Sequence, residues 1–366
     1  PCKGLEDINQ RLEKLREETS NPREFLDSHP ELEEYLRWRG VGKPEEELNK
    51  MIKETHAFAL SGLGICALIR GDSKAKDYFS EASEISRELG HWENYLIDRR
   101  RAISAMALME KDLGKIVNEF KDLWDDALQM MKPGAPYLRA AAYVFGGYLV
   151  ALALMGRRGD VEKLLEEYGW LLDEYMDRLL NVAARLALKY LGVNVEAPSS
   201  EEVLKAVWVD LRPELQPAIA EILGIHIPIE DVPSLCGDIE VKDSALCVYA
   251  YAAVKNGNKV AEESVRRFIV SWLGKNDDLH KLLNRADIRQ LIEVSALVTS
   301  TAHFILLLRA LASGDRDLAI LHAEVGRMSF SGFVGELFGG LADALKRGGE
   351  GGVKRAVAKL YYYHFF

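Results

Sequence analysis

The sequence predicts an all-α protein of stacked antiparallel helical hairpins in two lobes. Three observations carry that reading. Nearly every periodic segment repeats its apolar residues at three and four positions rather than two. Glycine followed by Asp or Asn recurs between an apolar helix and an amphipathic one. Small and aromatic residues then share one face of the helix after such a turn, as Ala75, Phe79 and Ala82 do.

In chain order, Leu5, Ile8, Leu12 and Leu15 form a short seam at 3–4–3 spacing in the first helix. Asn21, Pro22 and Glu24 mark a second start, and "SHPE" at 28–31 repeats it. Helical stretches are expected near 44–70, 73–89, 92–110, 112–131, 135–157 and 160–191. The run Ala140–Gly156 is uncharged and 17 residues long. It is read as a helix buried on all sides rather than a membrane span, having two central glycines. "GVNVEAPSSEE", 192–202, is the expected linker, with Ser199 and Glu202 as a capping box. Helix is expected again over 203–223. Residues 224–243, rich in β-branched residues and prolines, suggest a loop with one short hairpin. Further helices are expected at 243–256, 258–273, 286–312, 315–330, 331–347 and 353–364. The expected organisation is an N-terminal arm over 1–43, a lobe over 44–191, the linker 192–202, and a lobe over 203–366 that ends in a capping helix.

The stretch "SGLGICALIRGDSKAKDYFSEA", 61–82, admits two readings. "GLGICA" fits a loose dinucleotide-binding pattern, but that motif needs a preceding strand and a long following helix. The residues before it look helical, and the segment after it stops at Gly71-Asp72. As a hairpin it reads well: Gly71-Asp72 turns the chain, and Ala75, Phe79 and Ala82 then share one face. The same punctuation recurs at Gly159-Asp160, Gly257-Asn258 and Gly314-Asp315. These hairpins resemble tetratricopeptide-type repeats, although the turns lie 88, 98 and 57 residues apart rather than at a fixed period. The resemblance implies a superhelix whose concave surface binds peptides or partner proteins.

The chain has 366 residues and a formal net charge of −10, and neither half is basic. Overall charge therefore argues against a nucleic-acid-binding domain, leaving only local patches. Low Gln with high Glu and Arg points to a thermophilic source. The charged, apolar-poor start and the absence of a signal-like segment point to a cytoplasmic chain. Cys2, Cys66, Cys236 and Cys247 form no C-x-x-C pair, which disfavours a zinc ribbon or thioredoxin-like site. Cys236 and Cys247 flank a short loop and are able to bridge, but two buried thiols are the expectation.

Candidate chemistry is sparse. "DEYMD" places Asp173, Glu174 and Asp177 at a spacing resembling the magnesium–diphosphate clusters of all-helical isoprenoid synthases; "DLWDD" (Asp122, Asp125, Asp126) and "NDDLH" (Asn276, Asp277, Asp278) are similar. The acids fall opposite the apolar stripes of the first two segments, so a solvated face is expected. No two histidines have ligand spacing, and "HAE" at 322–324 lacks the cysteines of a zinc deaminase. His303, in an apolar run, is read as a hydrogen-bonded core histidine. Arg99, Arg100 and Arg101 are consecutive and so point different ways round a helix.

The C-terminal segment combines Lys354, Arg355 and Lys359 with Tyr361, Tyr362, Tyr363 and Phe365. It reads either as a capping helix or as a tail that stacks on RNA or docks on a partner. The functional expectation is a non-catalytic scaffold or adaptor that binds a protein partner or self-associates through its N-terminal seam, with no cofactor and no membrane span. The alternatives are an all-α enzyme binding a diphosphate with magnesium, and an RNA- or ribosome-associated factor acting through the tail.

Overall fold

Capping residues and positive-φ glycines divide the chain into helices. A computed structural model describes residues 2–110, 112–131, 137–228, 230–237, 241–273 and 277–366. Among them the backbone is helical and holds no strand; Leu211 and Leu297 form one isolated antiparallel bridge. The contacts divide the chain into two compact units, 1–151 with Phe366 and 152–365. The division falls inside a helix, Leu138–Leu154, whereas the expected linker at 192–202 lies within the second unit. That linker resembles a domain boundary in composition because it ends one helix at Gly192 and caps the next at Ser199.

The first unit holds α1 (Cys2–Glu18), α2 (Pro22–Ser28), α3 (Pro30–Trp38), α4 (Pro44–Ile69), α5 (Lys74–Glu88), α6 (Trp92–Met109), α7 (Leu113–Met130) and most of α8 (Leu138–Leu154). Asn21 caps α2 as expected, while Ser28 instead donates to the Glu24 carbonyl and leaves His29 as an N-cap without a side-chain bond. Consecutive helices pack on one another from α4 to α7, and α1 lies along α4. The N-terminal seam is spent on that contact: Leu12 is buried, Leu5 rests on Gly62, and of the four only Ile8 is exposed. Cys2 and Cys66 are joined by a disulfide that fastens α1 to α4.

Within α4, Gly62 and Gly64 are interior helical residues. Gly64 makes room for the fully buried ring of Phe79 on α5. The same device packs Phe120 of α7 against Gly147 of α8. In α8 the residues Ala140, Ala141, Val144, Phe145, Leu149 and Val150 are all buried, as expected for a core helix. One helix among the described residues, α4, is long and apolar enough to cross a bilayer, and 56% of its most apolar window is buried.

The second unit continues through α9 (Arg158–Tyr168), α10 (Trp170–Tyr175), α11 (Arg178–Tyr190), α12 (Ser200–Val207), two 3-10 turns (Trp208–Asp210 and Pro213–Leu215) and α13 (Gln216–Ile222). After these come α14 (Val232–Gly237), α15 (Val241–Asn256), α16 (Lys259–Leu273), α17 (Asp277–Arg285) and α18 (Ile288–Ser295). It ends with α19 (Ser300–Ala312), α20 (Arg316–Ser329), α21 (Phe333–Arg347) and α22 (Glu350–His364).

Three expected long helices are broken. The 160–191 segment stops at Gly169 and again at Met176, because Asp177 turns to accept the Leu180 N–H and starts α11. The 203–223 segment is interrupted at Leu211–Arg212, where the backbone is extended before Pro213. The 286–312 segment ends at Ser295, and Thr299 caps a new helix.

The glycine turns follow one rule: the chain needs a left-handed residue just past a helix end, and Gly adopts it without strain. Gly71, Gly257 and Gly314 have φ of 71°, 60° and 79°. Asp72, Asn258 and Asp315 accept backbone N–H groups from the helix that follows. The turn expected at Gly159-Asp160 is displaced. Gly156 takes the positive φ of 74°, while Gly159 and Asp160 sit in the first turn of α9, where Asp160 pairs with Arg157.

The hairpin expected in 224–243 is not present among its described residues; residues 229 and 238–240 lie outside the description, as does Asn276. Cys236 and Cys247 are buried there as a disulfide rather than as two thiols, packed with Val232 and Tyr251.

Candidate functional site

The consecutive arginines of α6 diverge, as helical geometry requires. Arg99 pairs with Glu119 on α7, and Arg100 donates to the Tyr143 carbonyl on α8. Arg101 turns toward α4 and donates to Asp98 Oδ1 at 3.2 Å and to Ser61 Oγ at 3.1 Å. The Ser61 hydroxyl donates to the same Asp98 oxygen at 2.7 Å. Asp98 is 5% exposed, and burial raises its pKa against the opposing pull of Ser61 and Arg101.

This buried acid forms the floor of a groove of ≈ 550 Å³ between α4 and α6. Glu54 and His91 pair across one end at 3.3 Å. Phe58 stands on the wall with 79% of its surface exposed. It belongs to a row along α4: Met51 and Ile69 are also exposed, and Ile65 is half-buried. Positions 51, 58 and 65 are seven apart, so they stack along one face of the helix. The 26-residue length of α4 gives the row its extent. The row is not continuous: Gly62, on the same face between Phe58 and Ile65, is covered by Leu5 of α1, so Phe58 is the most exposed apolar residue of the four.

A second polar cluster lies in the core of the other unit. His303 Nδ1 stands 3.1 Å from His322 Nδ1, and His322 Nε2 stands 3.2 Å from Glu293 Oε1. Arg309 approaches the same carboxylate at 3.6 Å. Glu293, His303 and His322 are each at most 2% exposed. His303 also bonds the Val294 carbonyl, which requires a donor nitrogen, so its Nδ1 is left to accept from His322. Burial and the neighbouring His322 hold the His303 pKa well below its ordinary value. His322 thus donates through Nδ1 and faces the Glu293 carboxylate with Nε2. The cluster is buried and ties α18, α19 and α20 together.

The acids singled out in the sequence do not converge. Asp177 is spent as the N-cap of α11, Glu174 is exposed, and Asp173 faces Asn181 at 3.5 Å. Among the described residues no group of three or more His, Cys, Asp or Glu is placed to hold a metal ion.

The tail residues divide in two. Tyr361, Tyr362 and Phe365 are buried at 0%, 1% and 6%, and Tyr363 is half-buried against Phe333. Three of these four rings pack inward, as in a capping helix, and Tyr363 keeps part of its surface open. Lys354 pairs with Glu350, Lys359 is half-buried and Arg355 is exposed. The missed residues are Phe58 and Glu293. For Phe58 the row Met51, Phe58 and Ile65 was a signal in the sequence. Glu293 carried none, since its partners come from two other helices.

No protein-family model, curated protein or solved structure matches the chain.

Proposed function

We propose that the chain is a non-catalytic helical scaffold that holds a segment of a protein partner along the outer face of α4. The observation that carries this reading is the row Met51, Phe58, Ile65 and Ile69 beside the groove floored by Asp98 and Arg101. Anchors seven residues apart suit an amphipathic helix laid lengthwise, as in other helix-in-groove recognition. Asp98 and Arg101 pair with each other within the groove, so its charge orients a partner more than it attracts one. The resemblance to tetratricopeptide hairpins supports the same reading by analogy.

The runner-up readings have less support. Among the described residues no set of carboxylates converges as the diphosphate–magnesium reading needs, and of the rings the RNA reading needs Tyr361, Tyr362 and Phe365 are buried and Tyr363 is half-buried. The proposed cytoplasmic location fits two disulfides if the source is a hyperthermophile, whose intracellular proteins carry such bonds.

The test is affinity capture from the native source with the wild-type chain and with Phe58→Glu. A partner held by the wild type and lost by a variant with unchanged circular dichroism and Tm supports the reading. A partner retained equally by both removes this face from consideration.

A further inference from the structure

The segment that interrupts the 203–223 helix holds an arginine in an unusual setting. Leu211 pairs with Leu297, the Arg212 N–H donates to the Ala296 carbonyl at 2.8 Å, and the Val298 N–H donates to the Asp210 carbonyl at 3.0 Å. These bonds fix the backbone at Arg212. Its side chain is fixed as well: Nε donates to the Ser295 carbonyl at 3.2 Å, and the guanidinium lies 3.6 Å from the centre of the Trp272 ring. The stack and the single Nε bond leave the two terminal nitrogens, and no carboxylate among the described residues forms an ion pair with them. The guanidinium is partly buried; that burial lowers its pKa, and Glu214 alone acts to raise it.

Arg212 lines a cavity of ≈ 240 Å³ in the second unit. Leu273, Leu297 and Phe330 supply apolar wall, and His303 contributes a ring whose nitrogens are taken by Val294 and His322. Val298 and Ser329 are its exposed lining residues. A partly desolvated cation without a counter-ion is costly, and a guanidinium remains charged at any physiological pH. Its free edge presents two parallel N–H donors, the geometry that a carboxylate accepts in bidentate fashion. The volume is below the ~300–1,000 Å³ of sites for drug-sized ligands, so the occupant is small.

We infer that this cavity binds a small monocarboxylate, its two oxygens on the Arg212 guanidinium and its apolar body against Leu297 and Phe330. The site is separate from the α4 face and does not depend on the scaffold reading.

The experiment is isothermal titration of the full chain with sodium butyrate and sodium benzoate, with phosphate and chloride as controls. Saturable binding of at least one carboxylate, and none of the controls, is expected. Arg212→Gln should weaken it on the order of tenfold or more, the scale of a lost charge-assisted pair. Val298→Trp, which narrows the mouth and leaves Arg212 in place, should also weaken it, and it decides the matter if Arg212→Gln fails to fold. Failure of both carboxylates to bind the wild type overturns the proposal, as does undiminished binding by either folded variant. Binding of phosphate in place of the carboxylates overturns the ligand class.

Discussion

The ring of Phe79 occupies the space that a side chain at Gly64 would need: a Cβ there would stand 2.6 Å from Phe79 Cε1. The pairs Phe120–Gly147 and Phe338–Gly326 repeat the relationship at 2.8 Å and 2.6 Å. Each ring is fully buried, so it cannot swing into solvent to relieve a clash. Gly64→Ala should therefore destabilise the first unit by ~1–3 kcal/mol, the usual cost of overpacking. Gly340, also helical but with nothing within 4 Å of its Cβ position, should respond oppositely. Alanine there gains ~0.5–1 kcal/mol of helix propensity. Urea denaturation of the two variants gives the comparison.

Acid should destabilise the second unit through His364. Its Nδ1–H donates to the Leu360 carbonyl, so Nε2 accepts from the Ser300 hydroxyl, and the ring stacks on Phe304 at 5.2 Å. Burial lowers its pKa from 6.5 to about 4, the Leu360 bond only partly opposing that. The unfolded chain gains a proton near pH 6.5 and the folded one only near 4. The stability from His364 is present above 6.5, declines as pH falls, and is gone below about 4, a loss of ~3 kcal/mol at most. His303, depressed for the same reason, acts in the same direction. Tm measured between pH 7 and 4 should fall, and His364→Gln should flatten the slope.

The disulfides should contribute unequally. Cys2–Cys66 closes a separation of 64 residues and Cys236–Cys247 one of 11. In the chain-entropy account the first is worth ~4 kcal/mol and the second ~3 kcal/mol. Cys2→Ser/Cys66→Ser should lower Tm more than Cys236→Ser/Cys247→Ser, and reductant should lower the wild type but spare the chain lacking all four.

The last helix should behave as core. Tyr362 is 1% exposed and lies edge-on to Tyr361 at 5.6 Å. Tyr362→Ala should cost ~3–5 kcal/mol, the scale for truncating a buried aromatic. Removal of 351–366 should lower the unfolding midpoint measurably. A chain so shortened that kept its full stability would return the segment to the role of a free tail.

Helices and most turns were legible because they depend on neighbours in sequence: Gly71, Gly257 and Gly314 end helices where an Asp or Asn is ready to start another. The error at Gly159 arose because "MGRRGD" offers two glycines, and only the preceding helix decides which one takes the left-handed conformation. The helix breaks at Asp177 and Thr299 were marked by good caps inside apolar runs, where periodicity outweighed them. The features of the sites were less accessible. Arg212 meets Ser295 and Trp272 from distant segments, and Cys2 meets Cys66 because α1 happens to run along α4. Such pairings are set by packing, and one sequence records only their two halves.

The bond between Cys2 and Cys66 makes residues 2–66 a covalently closed ring. The exposed bend at Arg39 and Gly40, between α3 and α4, lies on that ring. A protease that cut there would open the circle without releasing a fragment. The nicked chain would migrate as one species on a non-reducing gel and as two after thiol treatment, so its integrity is legible only once the bridge is broken.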